Sequence, residues 1–128
     1  MRFLAIYKTV EKNTPPTTEE MASMGKFIEE VTASGVLLAT EGCLPSARGA
    51  RVRLAKGKLT VTDGPFTESK ELIAGFALLR ADSKEHAIEL TKCFLEVAGG
   101  GVCEIRQVYD GSDCVPDFAP VEAAAAVA

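Results

Sequence analysis

The chain alternates between two kinds of apolar spacing, and their order constrains its fold more than any other feature. Helix-like spacing occurs twice, once after Thr17 and once after Ser83. With a hairpin-like segment at 50–62 set aside, the order is strand, helix, strand, strand, helix, strand, which is the split βαβ pattern of ferredoxin-like α+β folds. The strand-like runs cover residues 2–8, 36–43, 72–80 and 102–109.

Both predicted helices have clear start and stop signals. Thr17 with Glu20 three residues later forms a capping box, and Gly35 is placed to end that helix. Ser83 caps the second helix, and three consecutive glycines at 99–101 stop it. Each helix has one apolar stripe and one charged face, so each is expected to lie on a sheet.

Residues 50–62 predict a β-hairpin inserted between the second and third strands of the platform. Apolar and polar residues alternate on both sides of Lys56-Gly57, which marks the turn. Arg51 and Arg53 fall on one face of this hairpin. Their simplest role is to keep an edge strand from pairing with other chains.

The split βαβ pattern puts both helices on one face of the sheet and leaves the other face bare. Apolar residues such as Phe3 or Phe76 on that bare face would usually be covered by a partner. A homodimer is therefore predicted.

Size and charge narrow the functional classes. The 128 residues suit one domain, here 1–110, with 111–128 as a C-terminal tail that is either mobile or reaches across a neighbouring subunit. A net charge of −4 without a basic stripe argues against nucleic acid as a partner. The opening apolar stretch is too short for a secretion signal and no run suits a membrane span, so a cytoplasmic location without membrane attachment is expected.

The cysteines and the histidine of the chain do not have the spacing of a metal site. Its four cysteines show no C-x-x-C pair, and Cys114 alone is expected to be exposed while the others act as small hydrophobes. The single histidine, His86, falls in the first turn of the second predicted helix, where an exposed position is typical. Neither a metal site nor a phosphate-binding loop is predicted, and no cofactor is expected.

The segment around Asp63 holds most of the functional information. Asp63-Gly64-Pro65-Phe66 predicts a sharp turn, in which Asp63 bonds the backbone beyond it, Gly64 takes a positive φ and Phe66 plugs the loop into the core. On that interpretation Asp63 is structural. The alternative makes Asp63 a pocket carboxylate at a strand end, able to act as a general base.

The same segment resembles the YCII-related (DGPF) family. Asp63-Gly-Pro-Phe is followed by residues 67–71, Thr-Glu-Ser-Lys-Glu, and by Gly75, and the similarity extends over roughly residues 1–110. The resemblance implies a dimeric α+β barrel with a cleft near this loop. Distant members of the superfamily are isomerases or dehydrochlorinases of ring compounds, and some relatives are encoded beside sigma factors. Leu44 and Gln107 depart from the residue types that relatives often carry there.

Two functional hypotheses follow. The first is a protein that binds a small polar organic molecule in a dimer cleft, with acid/base isomerase or lyase chemistry in which Asp63 accepts a proton. Glu104 and Arg106 are two apart and so share one face of the last strand. The second hypothesis is a non-catalytic sensor or regulatory interaction module linked to sigma-factor control. The residues predicted to bind the substrate are Glu41, Pro65, Phe66, Lys70 and Arg106.

Overall fold

The computed structural model describes residues 1–12 and 14–109, and the predicted tail at 111–128, with Cys114, lies outside them. No helix within the described part of the chain is long and apolar enough to cross a membrane. The elements in order are β1 (Arg2–Thr9), α1 (Thr18–Ala33), β2 (Leu37–Gly42), a short 3-10 turn (Ser46–Arg48), β3 (Ala50–Ala55), β4 (Lys58–Asp63), β5 (Leu72–Arg80), α2 (Lys84–Ala98) and β6 (Val102–Gln107).

Four strands form an antiparallel sheet in the order β2-β5-β1-β6, with the first and third platform strands at its centre. With two helices between the strands, this is the ferredoxin-like α+β arrangement that the sequence predicts. β3 and β4 pair only with each other, as a separate two-stranded sheet inserted between β2 and β5. Their turn uses positive φ at Lys56 (51°) and Gly57 (76°), the geometry of a tight hairpin turn.

The helix ends match their sequence signals. Thr17 and Glu20 form both hydrogen bonds of the capping box at the start of α1. At α2, the Ser83 hydroxyl accepts a bond from the His86 amide, and Gly99 ends the helix in a left-handed conformation. These local bonds satisfy backbone groups that the helix itself leaves unpaired.

The small core lies between the sheet and the helices. Phe3 is only 2% exposed and packs with four smaller buried residues. The expectation that Phe3 faces the bare side of the sheet is therefore wrong, because odd-numbered residues of β1 point toward the helices. Phe76 does lie on the bare side, where it is 38% exposed. The other core residues are Ala5, Leu79, Ala81 and Ala87.

The cysteines only partly fit the expectation of small buried hydrophobes. Cys43 and Cys93 are free and exposed. Cys103 is half-buried on β6, opposite Tyr7, and burial raises the pKa of its thiol. Burial therefore makes Cys103 a weak nucleophile at neutral pH.

Candidate functional site

Several loops meet at one end of the four-stranded sheet. Thr9 at the end of β1 lies opposite Leu72 at the start of β5, and Gly42 at the end of β2 lies opposite Gly75. The loops that follow β1 and β2 and the loop that precedes β5 therefore leave the sheet at the same end. The last of these is residues 63–71, called here the Asp63 loop.

A carboxylate from the first loop connects all three. Glu11 accepts hydrogen bonds from both the backbone amide and the hydroxyl of Ser46, in the loop after β2. The Ser46 hydroxyl in turn accepts a bond of 3.1 Å from the Phe66 amide in the Asp63 loop. All three bonds are partly buried, so this relay fixes the Asp63 loop to the body of the protein.

Gly64 brings the Asp63 loop into close backbone contact with the loop after β2. Its amide donates to the Gly49 carbonyl at 3.0 Å, and a β-carbon on Gly64 would overlap the Ser46 carbonyl group. The expectation of a positive φ at Gly64 is wrong: glycine is required here by close approach. The following peptide bond, Gly64-Pro65, is cis.

Arg51 of β3 holds the outer side of the Asp63 loop. Its guanidinium lies 3.9 Å from the centre of the Phe66 ring, pairs with the Glu68 carboxylate and donates to the Ser69 hydroxyl at 3.2 Å. Phe66 is thus half-buried beneath a cation and does not join the core, contrary to expectation. Arg51 orders a loop, a role that alternation along an edge strand does not reveal.

The Arg51 and Glu68 pair predicts a pH dependence on the acid side. A hydrogen bond from its own backbone amide, and next the Arg51 guanidinium, hold the pKa of Glu68 below its ordinary value of 4.5. A depressed folded-state pKa stabilises the protein above pH 4.5, and this contribution is lost as pH falls through the folded pKa. The melting temperature of wild type should therefore fall more between pH 5 and about pH 3 than that of Glu68→Gln. Parallel melting curves for the two proteins across that window would contradict this assignment.

The bare face of the sheet has an apolar centre flanked by charge. In one row across the strands, Glu41 of β2 is followed by Phe76, Ile6 and Glu104. Glu104 lies 3.6 Å from Lys8 and accepts a 3.0 Å bond from Arg106. Glu104 and Arg106, which the spacing places on one face of the last strand, thus form an ion pair on the face turned away from the helices.

The predicted site residues fall into two groups. Asp63, Pro65 and Phe66 lie with Lys70 in or beside the Asp63 loop, and among the described residues the Asp63 carboxylate forms no hydrogen bond or ion pair. Asp63 is exposed and does not bond the turn that follows it. Glu41 and Arg106 lie on the bare sheet face, on its two edge strands. Three strand spacings, about 14 Å, separate those two edge strands.

The match to a known family includes both the Asp63 loop and the residues on the bare sheet face. A model of the YCII-related domain matches residues 1–112, from before β1 to beyond β6. The chain belongs to the YCII-related family. No curated protein matches the sequence at a significant level. The matched residues include both the Asp63 loop and the strands of the bare sheet face.

Sequence reasoning missed three residues that build the site, namely Glu11, Ser46 and Arg51. Glu11 and Ser46 are 35 positions apart, and no local pattern links them. Across residues 1–12 and 14–109, no cluster of three or more His, Cys, Asp or Glu side chains is arranged to hold a metal ion. His86 instead accepts a bond from the Asp82 amide at the start of α2.

Proposed function

We propose that this YCII-related protein is a homodimer that binds a small polar organic molecule between the bare sheet faces and the Asp63 loops. Asp63 accepts a proton from the bound molecule, while Glu41, Lys70 and Arg106 orient it. Pro65 and Phe66 form the wall of the cleft beside Asp63. The chemistry is an acid/base isomerisation or elimination, which requires a positioned carboxylate and no cofactor.

The observation that carries the proposal is the composition of the bare sheet face. Phe76 and Ile6 provide an apolar surface in the middle, and ionic groups surround it. A ligand site typically combines such an apolar floor with a few convergent polar groups. The face has four cations and two carboxylates, so a ligand with an acidic group is favoured. These charges belong to Arg2, Lys8, Arg80 and Arg106, and to Glu41 and Glu104.

The surroundings of Asp63 support its role as a proton acceptor. Its backbone is held by the strand pairing to Ala50 and by the Gly64 bond to Gly49. Its carboxylate forms no hydrogen bond or ion pair within the described residues, so no donor among them occupies the oxygen that would accept the proton. A rigid backbone with an unengaged side chain suits a base that acts on a ligand.

Asp63→Asn is expected to abolish proton abstraction while leaving folding intact. Because Asp63 is exposed in the single chain and forms no hydrogen bond or ion pair within the described residues, the melting temperature should change by no more than a degree or two, within about 0.5 kcal/mol. The measurement is deuterium incorporation from heavy water, at carbons next to a carbonyl, into a panel of 2-oxo acids and cyclic keto acids. Wild type should exchange at least one member, and Asp63→Asn none.

The non-catalytic alternative gives a different result in the same assay. A sensor would be stabilised by a panel member in a thermal melt and yet catalyse no exchange. A large loss of stability in Asp63→Asn would show instead that this carboxylate is structural. Arg106→Gln is the matched binding variant: it should weaken stabilisation by ligand without changing the melting temperature of the free protein.

A further inference from the structure

The β3-β4 hairpin has a second apolar surface, separate from the bare sheet face. Strand pairing sets Val52 opposite Val61 and Leu54 opposite Leu59, so all four side chains lie on one side of the hairpin. They are between 65% and 70% exposed. The side that carries Arg51 and Arg53 is opposite to this one.

Nothing in the described part of the chain covers this surface. Every residue of β3 and β4 is exposed, and the two strands pair only with each other. A lone two-stranded hairpin is at best marginally stable in water, and monomeric proteins seldom leave a contiguous apolar patch of this kind open. Within the described residues, the hairpin therefore lacks the covering surface that its apolar side requires.

The charge of the hairpin favours a second copy of the chain as the surface that covers its apolar side. Residues 50–63 contain two arginines and two lysines against Asp63 alone, a net charge of +3. Since the whole chain has a net charge of −4, the rest of it has −7. Opposite net charge therefore favours the long-range encounter of the hairpin with the body of another copy, while Arg51, Arg53 and Lys58 lie on the side opposite to the apolar contact.

The area needed for a stable dimer supports the same partner. Four partly exposed Val and Leu side chains offer roughly 400 Å² of apolar surface, at about 100 Å² each. A stable interface buries about 800 Å² on each partner. The hairpin supplies about half of that area, and we assign the remainder to the bare sheet face of the proposed dimer.

Asp63 lies on this apolar side of the hairpin. It pairs with Ala50, two residues before Val52, and so continues the row formed by Val61 and Leu59. We propose that the hairpin is a dimerisation arm whose apolar side packs against the second copy, and that this contact covers Asp63 and completes the acid/base site. A carboxylate that loses water becomes a stronger proton acceptor. The inference rests on the proposed function, because it explains how an exposed Asp63 acquires an enclosed surrounding.

Two neighbouring substitutions on β4 test the arm. Leu59→Asp adds a charge to the apolar side, whereas Thr60→Asp adds the same charge one residue later on the opposite side. Sedimentation equilibrium should show a dimer dissociation constant at least tenfold higher for Leu59→Asp and nearly unchanged for Thr60→Asp. Deuterium incorporation at a fixed micromolar concentration should fall with the dimer fraction in Leu59→Asp.

Both substituted residues are exposed in the single chain, so both variants should fold, which circular dichroism would verify. If Leu59→Asp does not fold, Val52→Thr removes apolar surface with little change of shape and should still weaken the dimer. An unchanged dissociation constant in the folded apolar-side variant overturns the arm, including the case in which the hairpin serves a different protein.

Phe76→Asp, on the bare sheet face, separates this inference from the proposed function. If Phe76→Asp raises the dimer dissociation constant and Leu59→Asp does not, the sheet-face dimer is supported and the dimerisation arm is contradicted. If Leu59→Asp raises the dimer dissociation constant and Phe76→Asp does not, the dimerisation arm is supported and the sheet-face dimer is contradicted. A wild-type protein that is monomeric at micromolar concentration contradicts both the sheet-face dimer and the dimerisation arm.

Discussion

Replacing Gly64 with alanine is expected to lower the free energy of unfolding by about 3 kcal/mol, roughly 10 °C in melting temperature. The added β-carbon would overlap the carbonyl oxygen of Ser46 and lie 2.6 Å from its carbonyl carbon and 3.3 Å from the Ala47 nitrogen. These are backbone atoms, so no side-chain rotation relieves the overlap. The Asp63 loop must move away from the loop after β2, and the relay from Glu11 is then broken.

Gly49→Ala is the matched control, because it adds the same methyl group in the same pair of loops. Its β-carbon would lie 3.6 Å from the Ser46 carbonyl oxygen, an ordinary contact. The φ of Gly49 is −124°, which alanine adopts readily, so this variant should be neutral or slightly stabilising. Equal melting temperatures for the two variants would show that the close approach at Gly64 contributes little to stability.

The platform was predictable because its signals are local. Thr17, Ser83 and Gly57 act within three or four residues of their own positions, and each does in the structure what its sequence context predicts. The alternation of Glu104 and Arg106 likewise fixes a shared face without knowledge of any other strand. Local rules of this kind determine where elements begin, end and turn.

The two faces of β1 could not be distinguished in this way. Phe3 and Ala5 alternate with Leu4 and Ile6, so both sets are apolar, and periodicity does not say which set meets the helices. The structure shows that Phe3 and Ala5 do. The choice depends on strand order and crossover handedness, which are properties of the whole sheet.

The site was harder to predict, because its contacts join distant parts of the chain. A glycine at 64 is explained equally well by a positive φ or by a close neighbour, and only the position of Ser46 decides between them. Arg51 likewise has the spacing of any exposed strand residue, yet it contacts Phe66 and Glu68, 15 and 17 positions away. The family resemblance located the loop, and the structure supplied its partners.

The hydrogen bonds that join Glu11, Ser46 and Phe66 carry the second large predicted loss of stability. Glu11→Ala is expected to lower the free energy of unfolding by about 2 kcal/mol, because the Ser46 amide and hydroxyl lose a charged acceptor at a partly buried position. Glu11→Gln keeps one acceptor oxygen and should lose about half as much. Urea denaturation measures all the variants, with Glu29→Ala on the exposed side of α1 as a control that should change stability by less than about 0.5 kcal/mol.

A double-mutant cycle shows whether the relay acts as a unit. Since the hydrogen bonds from Glu11 reach the Asp63 loop only through Ser46 within the described residues, the combination of Glu11→Ala with Ser46→Ala should cost clearly less than the sum of the two single changes. Strict additivity would mean that Glu11 stabilises the protein by another route. A coupled pair implies that the position of Phe66, and with it the proposed cleft wall beside Asp63, is set by a carboxylate that follows the first strand.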